Sequence, residues 1–266
     1  SCISLVIFGF WTSKSISSIY VLKAESFFVQ ESNKYGEGVN PTLEEREKFV
    51  DSMAYYYSQA SKFDGNNPLY SRKQGLMYLE RVGIAAERYS DESSDQESMN
   101  QIIRDVGGWE NYVIDSTRKS IDISPNVYSN WEARSRVYLG LVGMGFYDYT
   151  PDAVFSLEKA IELNPLNFEL HYSMAQAFII KGEKDSALAS LTKVLGINPQ
   201  HIPSVLLAGE INKEKGNIDI YESYLTAAKK ILETQGNTNV DVYDEISKQL
   251  NSLNHIADSS EEEVSE

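Results

Sequence analysis

One short phrase of the sequence recurs at a fixed interval. Residues 161–165 read IELNP and residues 196–199 read GINP, so that Pro165 and Pro199 lie 34 positions apart. A chain that repeats itself every 20 to 50 residues or so is built from small units that stack, because one such unit cannot bury its own apolar face. The interval therefore predicts an array of similar units and argues against a single closed globule.

The clearest copy, residues 168–201, has the pattern of two helices joined by a glycine turn. Small Ala175 lies between large Met174 and Phe178, and Gly182 follows where a helix end commonly carries glycine. The second helix has apolar residues spaced by four and three, and a proline stops it; these residues are Ala187, Leu191, Val194 and Pro199. The repeating unit is therefore a helix–turn–helix.

Other copies can be placed by the same signals. Gly209 and Gly216 take the places of the small residue and of the turn glycine, each 34 residues further on. In an earlier copy, Thr150 and Pro151 are predicted to be the N-cap and the first residue of a helix. Another helix is predicted to begin near Thr42, because Glu45 gives it the spacing of a capping box.

These signals predict the organisation of the whole chain. Its parts, in order, are the end of a possible transmembrane segment (1–13), a degenerate first helix pair (14–67), repeats over 68–239, a capping helix (240–255) and a disordered acidic tail (256–266). Within the repeats, the units are 68–127 with a long insertion, 128–167, 168–201 and 202–235.

The repeats resemble the tetratricopeptide family, whose units follow the pattern W-x2-L-G-x2-Y…A-x3-F…P over 34 residues. The sequence departs from this pattern at Arg134, Ser135 and Asn212. The resemblance implies an all-α, right-handed α-solenoid whose first helices line a concave groove. The matching residues are Trp131 and Tyr138; Gly75 and Tyr78; Ala153, Leu157, Ala160 and Pro165; Ala175, Phe178, Ala187, Leu191 and Pro199; and Gly209 and Leu225.

A second, narrower resemblance concerns the order of the segments. An apolar start, a degenerate pair, the stretch NVYSNWEARSRVY and then regular repeats look like the C-terminal region of bacterial polytopic membrane proteins related to O-antigen ligases. This resemblance implies a repeat domain on the outer side of a bacterial membrane, whose catalytic part lies upstream of Ser1.

The first eleven residues, SCISLVIFGFW, are uncharged and mostly apolar. A helix that crosses a membrane needs about 20 such residues. The run is therefore predicted to be the end of a membrane segment, with a buried core helix or a leftover signal sequence as alternatives. The expected location is membrane-anchored and extracytoplasmic, with a cytoplasmic location left open.

Composition narrows the class of partner. The net charge is −15, which argues against nucleic acid and against electrostatic docking on anionic lipid. Acidic residues are concentrated in SDESSDQES (90–98) and in the tail from 257 onwards, which are predicted to be solvated segments. Some tetratricopeptide domains bind the terminal carboxylate of a peptide with a cluster of Lys and Asn on their first helices, and this cluster is missing here. The expected partner is instead a protein or peptide segment with apolar anchors and basic groups.

The partner-binding groove is predicted from the face next to the small packing residues. A solvated face with no ligand is the alternative, because repeats also serve as spacers. The predicted groove residues are Arg72, Leu76, Glu132, Arg136, Tyr172, Gln176, Ile180, Leu206, Glu210 and Lys213.

Signals for chemistry are weak throughout. His171, His201 and His255 do not have the spacing of metal ligands, and Cys2 has no evident base partner. Glycine patterns that bind phosphates are absent from the sequence, so no cofactor is expected. Exposed tyrosines could contact glycans, although most tyrosines at helix-packing spacing belong to a core.

The function predicted from the sequence is therefore binding without catalysis. The chain is expected to be a membrane-tethered scaffold for protein interactions. The alternatives are an accessory domain of a membrane glycan-polymer ligase and a cytosolic adaptor.

Overall fold

In the computed structural model, the described residues 2–34, 40–92, 111–145, 149–235 and 240–264 form helices joined by short turns. Within those ranges there is no β-strand. The all-α class predicted from the repeat period is therefore confirmed. The chain divides into two compact units, Ser1–Asn164 and Pro165–Glu266.

The helices alternate along each unit as antiparallel pairs. The first unit contains α1 (Cys2–Lys34), α2 (Leu43–Phe63), α3 (Pro68–Glu92), α4 (helical over 111–123), α5 (Tyr128–Gly143) and α6 (Thr150–Leu163). The second unit contains α7 (Phe168–Ile180), α8 (Lys184–Ile197), α9 (Ile202–Glu214), α10 (Ile218–Thr234) and α11 (Val240–Val264).

The turns that follow α2, α4, α6 and α8 close in the same way. In each turn, the first residue after the helix donates its N–H to the carbonyl four residues back, over 2.7–3.1 Å; the donors are Asp64, Ser124, Asn164 and Asn198. In three of these turns a proline comes next and has no N–H with which to continue the helix. The repeated Asn-Pro phrase is thus the joint between helix pairs.

Glycine closes the first helix of a pair in the second unit. Gly182 and Gly216 have φ angles of +75° and +80°, a region that side chains with a Cβ rarely adopt. The residue after each glycine donates its N–H to a carbonyl five residues back, as in a Schellman motif, at 2.8 Å for Glu183 and 2.9 Å for Asn217. The recurrence of glycine at this interval therefore reflects a backbone requirement.

The core of the first helix pairs is built on α2, whose Thr42–Glu45 capping box forms as predicted. Ala24 of α1 is buried against the α2 face. The hydroxyl of buried Ser17 lies 2.9 Å from the hydroxyl of Tyr70, which ties α1 to α3. The α2 side chains buried in this core are Val50, Met53, Ala54, Tyr57 and Ala60.

Asn130 fixes the start of α5. Its amide donates to the carbonyls of Ser120 and Ser124 at 3.0 and 2.9 Å, and its Oδ1 accepts from Arg72 at 3.1 Å. The side chain is completely buried, and both its amide group and its carbonyl oxygen have hydrogen-bond partners. It therefore holds α3, the end of α4 and the start of α5 together.

In the second unit, the last helix covers the end of the array. Ile246 of α11 is buried against α10 residues Leu225 and Leu232. Val242, Leu250 and Leu253 of α11 also pack against this core. The predicted capping helix is confirmed, and its helical backbone continues to Val264, into the segment predicted to be a disordered tail.

The predicted membrane anchor is wrong. Among the described residues, no helix has an apolar stretch long enough to cross a bilayer. The apolar run ends at Trp11, and the next turns of α1 are polar and serve packing: Ser13 donates to the carbonyl of Phe63, and Ser17 is buried. The expected membrane location, and the extracytoplasmic side inferred with it, are therefore withdrawn.

Some predictions fall outside the described residues. Residues 93–110, which include most of the acidic stretch 90–98, and residues 146–148, which lie within the predicted unit 128–167, belong to this group. Thr150, predicted to cap α6, is instead its first residue; Tyr149 takes the N-cap position and makes no side-chain capping bond.

Candidate binding groove

The first unit contains a groove that runs between α1 and α3. Both helices pack extensively against α2 and far less against each other. The space between them is therefore left open, with α2 as its floor. This arrangement follows from the sequence, because Ala24 of α1 and the apolar residues Leu69, Tyr70 and Met77 of α3 pack in the core that is built on α2.

Two adjoining cavities, of about 560 and 400 Å³, make up this space. They share Phe28 of α1, Phe49 of α2, and Lys73 and Met77 of α3 as lining residues. Together they form one continuous depression, called here the α1–α3 groove. The larger cavity also reaches Leu76, Glu80 and Arg136, and the smaller one reaches Val21, Glu25, Val29 and Leu69.

Aromatic rings give the groove an apolar lining. Phe28 packs against Phe49 with ring centroids 6.0 Å apart, and Phe27 stacks on the same ring at 5.8 Å. Phe28 nevertheless remains 51% exposed, and its neighbour Val29 is 55% exposed. Large apolar side chains held open in a concave site are typical of a surface that binds another molecule.

At one end of the groove the charged groups are paired with one another. The Arg46 guanidinium donates to Glu80 at 2.8 Å and also pairs with Glu87. The hydrogen bond that Arg46 donates to Glu80 raises the pKa of Arg46, although burial acts in the opposite direction. Arg136 pairs over 3.4 Å with Glu132, one turn away on α5.

Two charged side chains in the groove behave differently. Lys73 of α3 and Glu25 of α1 both line the smaller cavity, and both are exposed. Within the part of the chain that the structure describes, neither makes an ion pair or a hydrogen bond. The buried phenol of Tyr57 lies below them, and its pKa is raised by burial and further by the negative charge of Glu25.

The predicted groove residues of the first unit take different positions. Leu76 and Arg136 line the groove. Arg72 is turned towards α5, where it donates to Ser129 and to Asn130, and burial lowers its pKa. Leu76 and Arg136 of the predicted set therefore line the groove, whereas Arg72 joins α3 to α5.

The predicted residues of the second unit are spread over α7 and α9. The Tyr172 ring packs edge-on against His201 with centroids 5.1 Å apart, and burial raises the pKa of Tyr172. Gln176 and Ile180 are exposed. Leu206 packs against the core that α11 covers.

Glu210 and Lys213, the other two predicted residues of α9, meet at Tyr221. Glu210 lies 3.0 Å from the Tyr221 hydroxyl, and the Lys213 ammonium stands 4.9 Å from the centre of its ring. Lys213 and Glu210 also form an ion pair at 3.6 Å. These two residues therefore contribute to the attachment of α9 to α10.

Sequence reasoning missed the aromatic and basic residues of the groove. Phe28 and Phe49 lie in the degenerate first pair, where no repeat pattern fixes their direction. Lys73 and Met77 follow the predicted Arg72 and Leu76 by one residue each. The spacing of four between Leu69, Lys73 and Met77, followed by Glu80, indicates a face of α3 that is shifted by one residue from the predicted face.

Two of the three histidines, His171 and His201, are engaged in local structure. Nε2 of buried His171 donates to the carbonyl of Pro165 over 2.8 Å, and Nδ1 of His201 lies 2.7 Å from the Ser204 hydroxyl. In the described ranges, no group of three His, Cys, Asp or Glu side chains is placed to hold a metal ion.

Comparison with known proteins supports the repeat architecture. A tetratricopeptide-repeat family model matches residues 156–189. No curated protein matches the chain significantly in sequence.

Several solved structures have a similar fold. The MamA protein is 17% identical, with a TM-score of 0.57 over 84% of this chain and 96% of that one. A thermophilic TPR protein of Thermus thermophilus is 17% identical, with a TM-score of 0.52 over 76% and 91%. YrrB, described as a TPR protein with an unusual peptide-binding site, is 17% identical, with a TM-score of 0.50 over 85% and 99%.

These matches separate the two resemblances seen in the sequence. The narrower likeness to O-antigen-ligase proteins is not supported by the family model or by these structures, and it is withdrawn. The tetratricopeptide likeness is supported by both. The chain has the all-α fold of tetratricopeptide solenoids, with helix pairs that end in a capping helix.

Proposed function

We propose that the chain is a non-catalytic scaffold that binds a segment of another protein in the α1–α3 groove. The observation that carries this proposal is the exposure of Phe28 and Val29 beside two connected cavities. A similar fold with a peptide-binding site, that of YrrB, adds support at the level of architecture.

The dimensions of the groove fit a short peptide segment. Its α3 wall extends from Leu69 to Glu80, which corresponds to about 17 Å at a rise of about 1.5 Å per residue. That length holds about three turns of helix, or about five residues of extended chain. The groove is therefore long enough for a few apolar anchors of one linear motif.

Burial of apolar surface is the expected source of affinity. Phe28 and Val29 already have their backbone fixed in α1, so covering them costs little further ordering of this chain. Each Å² of apolar surface removed from water contributes about 25 cal/mol. At the end of the groove, Arg46 is already paired with Glu80 and Glu87. These three side chains therefore shape the site and are not expected to pair with the ligand.

A peptide-display experiment tests the proposal. Random 12-residue peptides are selected on the intact chain, and the affinity of the enriched peptides is measured by fluorescence anisotropy. Phe28→Ala should weaken binding at least tenfold, because it removes a central apolar contact of the groove.

Phe155→Ala is the matched control, since Phe155 is also 51% exposed in the first unit but lies outside the groove. It should leave the affinity unchanged. Equal affinities for both variants and the wild type, or no enrichment of any peptide, would refute the proposed site.

A further inference from the structure

We infer that the α1–α3 groove selects a segment whose apolar anchors flank a closely spaced pair of opposite charges, with a carboxylate for Lys73 and a basic group for Glu25. This inference rests on the proposed function, because it specifies the chemistry of the ligand at the same site.

Lys73 is the first reason. It lines both cavities, so any segment that fills the groove must cover its ammonium group or lie beside it. Among the described residues it has no carboxylate partner, whereas Arg46 has two and Arg136 has one. The groove thus leaves one basic group without internal compensation at its centre.

Glu25 is the second reason, and it lies on the facing wall. It lines the smaller cavity together with Lys73, yet no ion pair joins the two side chains. α1 and α3 are held apart by α2, whose Phe49, Met53 and Tyr57 occupy the space below. The two charges therefore stand on opposite sides of the space that the ligand would fill.

The free-energy cost of removing water from the Lys73 and Glu25 charges makes the groove selective for its ligand. An entirely apolar segment would remove water from both charges and supply nothing in return, which is costly for each. A segment with one acidic and one basic side chain would pair with both. Because a single cavity contains both sites, these side chains must be close together, as neighbours on an extended chain or one turn apart on a helix.

A double-mutant cycle with defined peptides tests the inference. Four fluorescein-labelled 12-residue peptides share three leucines at helical spacing and differ at two positions one turn apart, which carry Glu and Lys, Gln and Lys, Glu and Gln, or Gln and Gln. For the wild-type chain, loss of the peptide carboxylate should weaken binding about tenfold, and loss of the peptide ammonium by a similar factor.

The protein variants assign each charge to its partner. In Lys73→Gln, loss of the peptide carboxylate should cause no further weakening, while loss of the ammonium still should; Glu25→Gln should show the converse. Lys62→Gln and Glu158→Gln, exposed residues of the first unit outside the groove, should behave like the wild type. Circular dichroism confirms that each variant is folded.

The outcomes distinguish the two proposals. Equal affinity for all four peptides, abolished by Phe28→Ala, would overturn the charge pairing and leave the groove as a binding site. Charge dependence that persists unchanged in Lys73→Gln and Glu25→Gln would also overturn the pairing. If no peptide binds and display also fails, both proposals are wrong.

Discussion

At the scale of single residues, the close packing of helices in the first unit depends on glycine, which has no side chain. Gly75 of α3 lies so close to α4 that a Cβ placed there would be 2.8 Å from the Thr117 methyl group. Thr117 is itself fully buried, and its hydroxyl lies near the carbonyls of Val113 and Ile114. The Thr117 side chain cannot move aside easily, so the close approach of α3 and α4 requires glycine at position 75.

Two glycines of α3 give opposite predictions. Gly75→Ala should lower the free energy of unfolding by about 1–3 kcal/mol, since overpacking outweighs the gain in helix propensity. Gly83→Ala meets only the end of the Met144 side chain at 3.6 Å, an ordinary contact. It should stabilise the helix by roughly 0.5–1 kcal/mol. Urea denaturation measures both, and a stabilised Gly75→Ala would disprove the close packing.

Tyr57 makes stability depend on alkaline pH. Burial raises its pKa, and the Glu25 charge raises it further, so the folded state holds the phenolic proton more tightly than the unfolded state. The resulting stabilisation is complete below about pH 10, the unfolded pKa, and is lost as the pH rises through the folded pKa.

Tyr57→Phe cannot ionise, so its stability should fall less steeply above about pH 10. The difference in slope should reach at most about 1.4 kcal/mol per pH unit. Between about pH 6 and 8 the variant and the wild type should differ by a constant offset. Chemical denaturation at a series of pH values tests this, and parallel curves in the alkaline range would contradict the expectation.

At the scale of helices, the period of the sequence predicted the regular part of the fold well. The turn glycines Gly182 and Gly216, the proline joints and the Thr42–Glu45 capping box are local requirements that a short stretch of sequence expresses on its own. The start of α6 differed by one residue because buried Thr150 already belongs to the helix and Tyr149 takes the N-cap position.

Tyr221 shows where helix packing could not be predicted from local sequence. The second helix of the preceding copy has small Ala187 at this place, so the larger Tyr221 ring cannot pack in the same way. The ring is accommodated because Gly209 faces it, where a Cβ would be 3.3 Å from Cδ2 of Tyr221. Its hydroxyl also reaches Gln249 of α11 at 2.8 Å, a contact between residues 28 positions apart.

Removal of α11 should therefore destabilise the second unit. A chain that ends at Gln235 would expose apolar groups of α9 and α10 that Ile246 now helps to cover. We expect a lower melting temperature and increased binding of an apolar dye. Ile246→Ala should cost about 2–4 kcal/mol, whereas Lys248→Ala on the exposed side of α11 should cost little. Unchanged melting of the shortened chain would show that α11 is not a cap.

At the scale of the whole molecule, the sequence indicated an interaction surface more readily than it indicated its location. Leu76 and Arg136 of the predicted stripe line the α1–α3 groove, because small packing residues fix the direction of α3 and α5. Phe28 lies in α1, where no repeat pattern fixes the register, and its exposure follows from how α1 and α3 share α2. An exposure that depends on how three helices pack cannot be predicted from the sequence around one residue.

Net charge describes the groove poorly for a related reason. The chain carries a net charge of −15, yet the residues that line the groove include acidic and basic side chains in similar numbers. Ion pairs such as Arg46–Glu80 neutralise some of these charges, and this pairing is visible only in the folded chain.

The position of α11 also bears on how such a chain can lengthen during evolution. A gene duplication that appended another helix pair after Thr234 would have to displace Ile246 from the surface it occupies. A duplication placed at the proline joints would meet the same turn on both sides, since the backbone after α6 and after α8 closes alike. Longer homologues are thus expected to have gained their additional units internally, and to have kept one terminal helix as a fixed boundary.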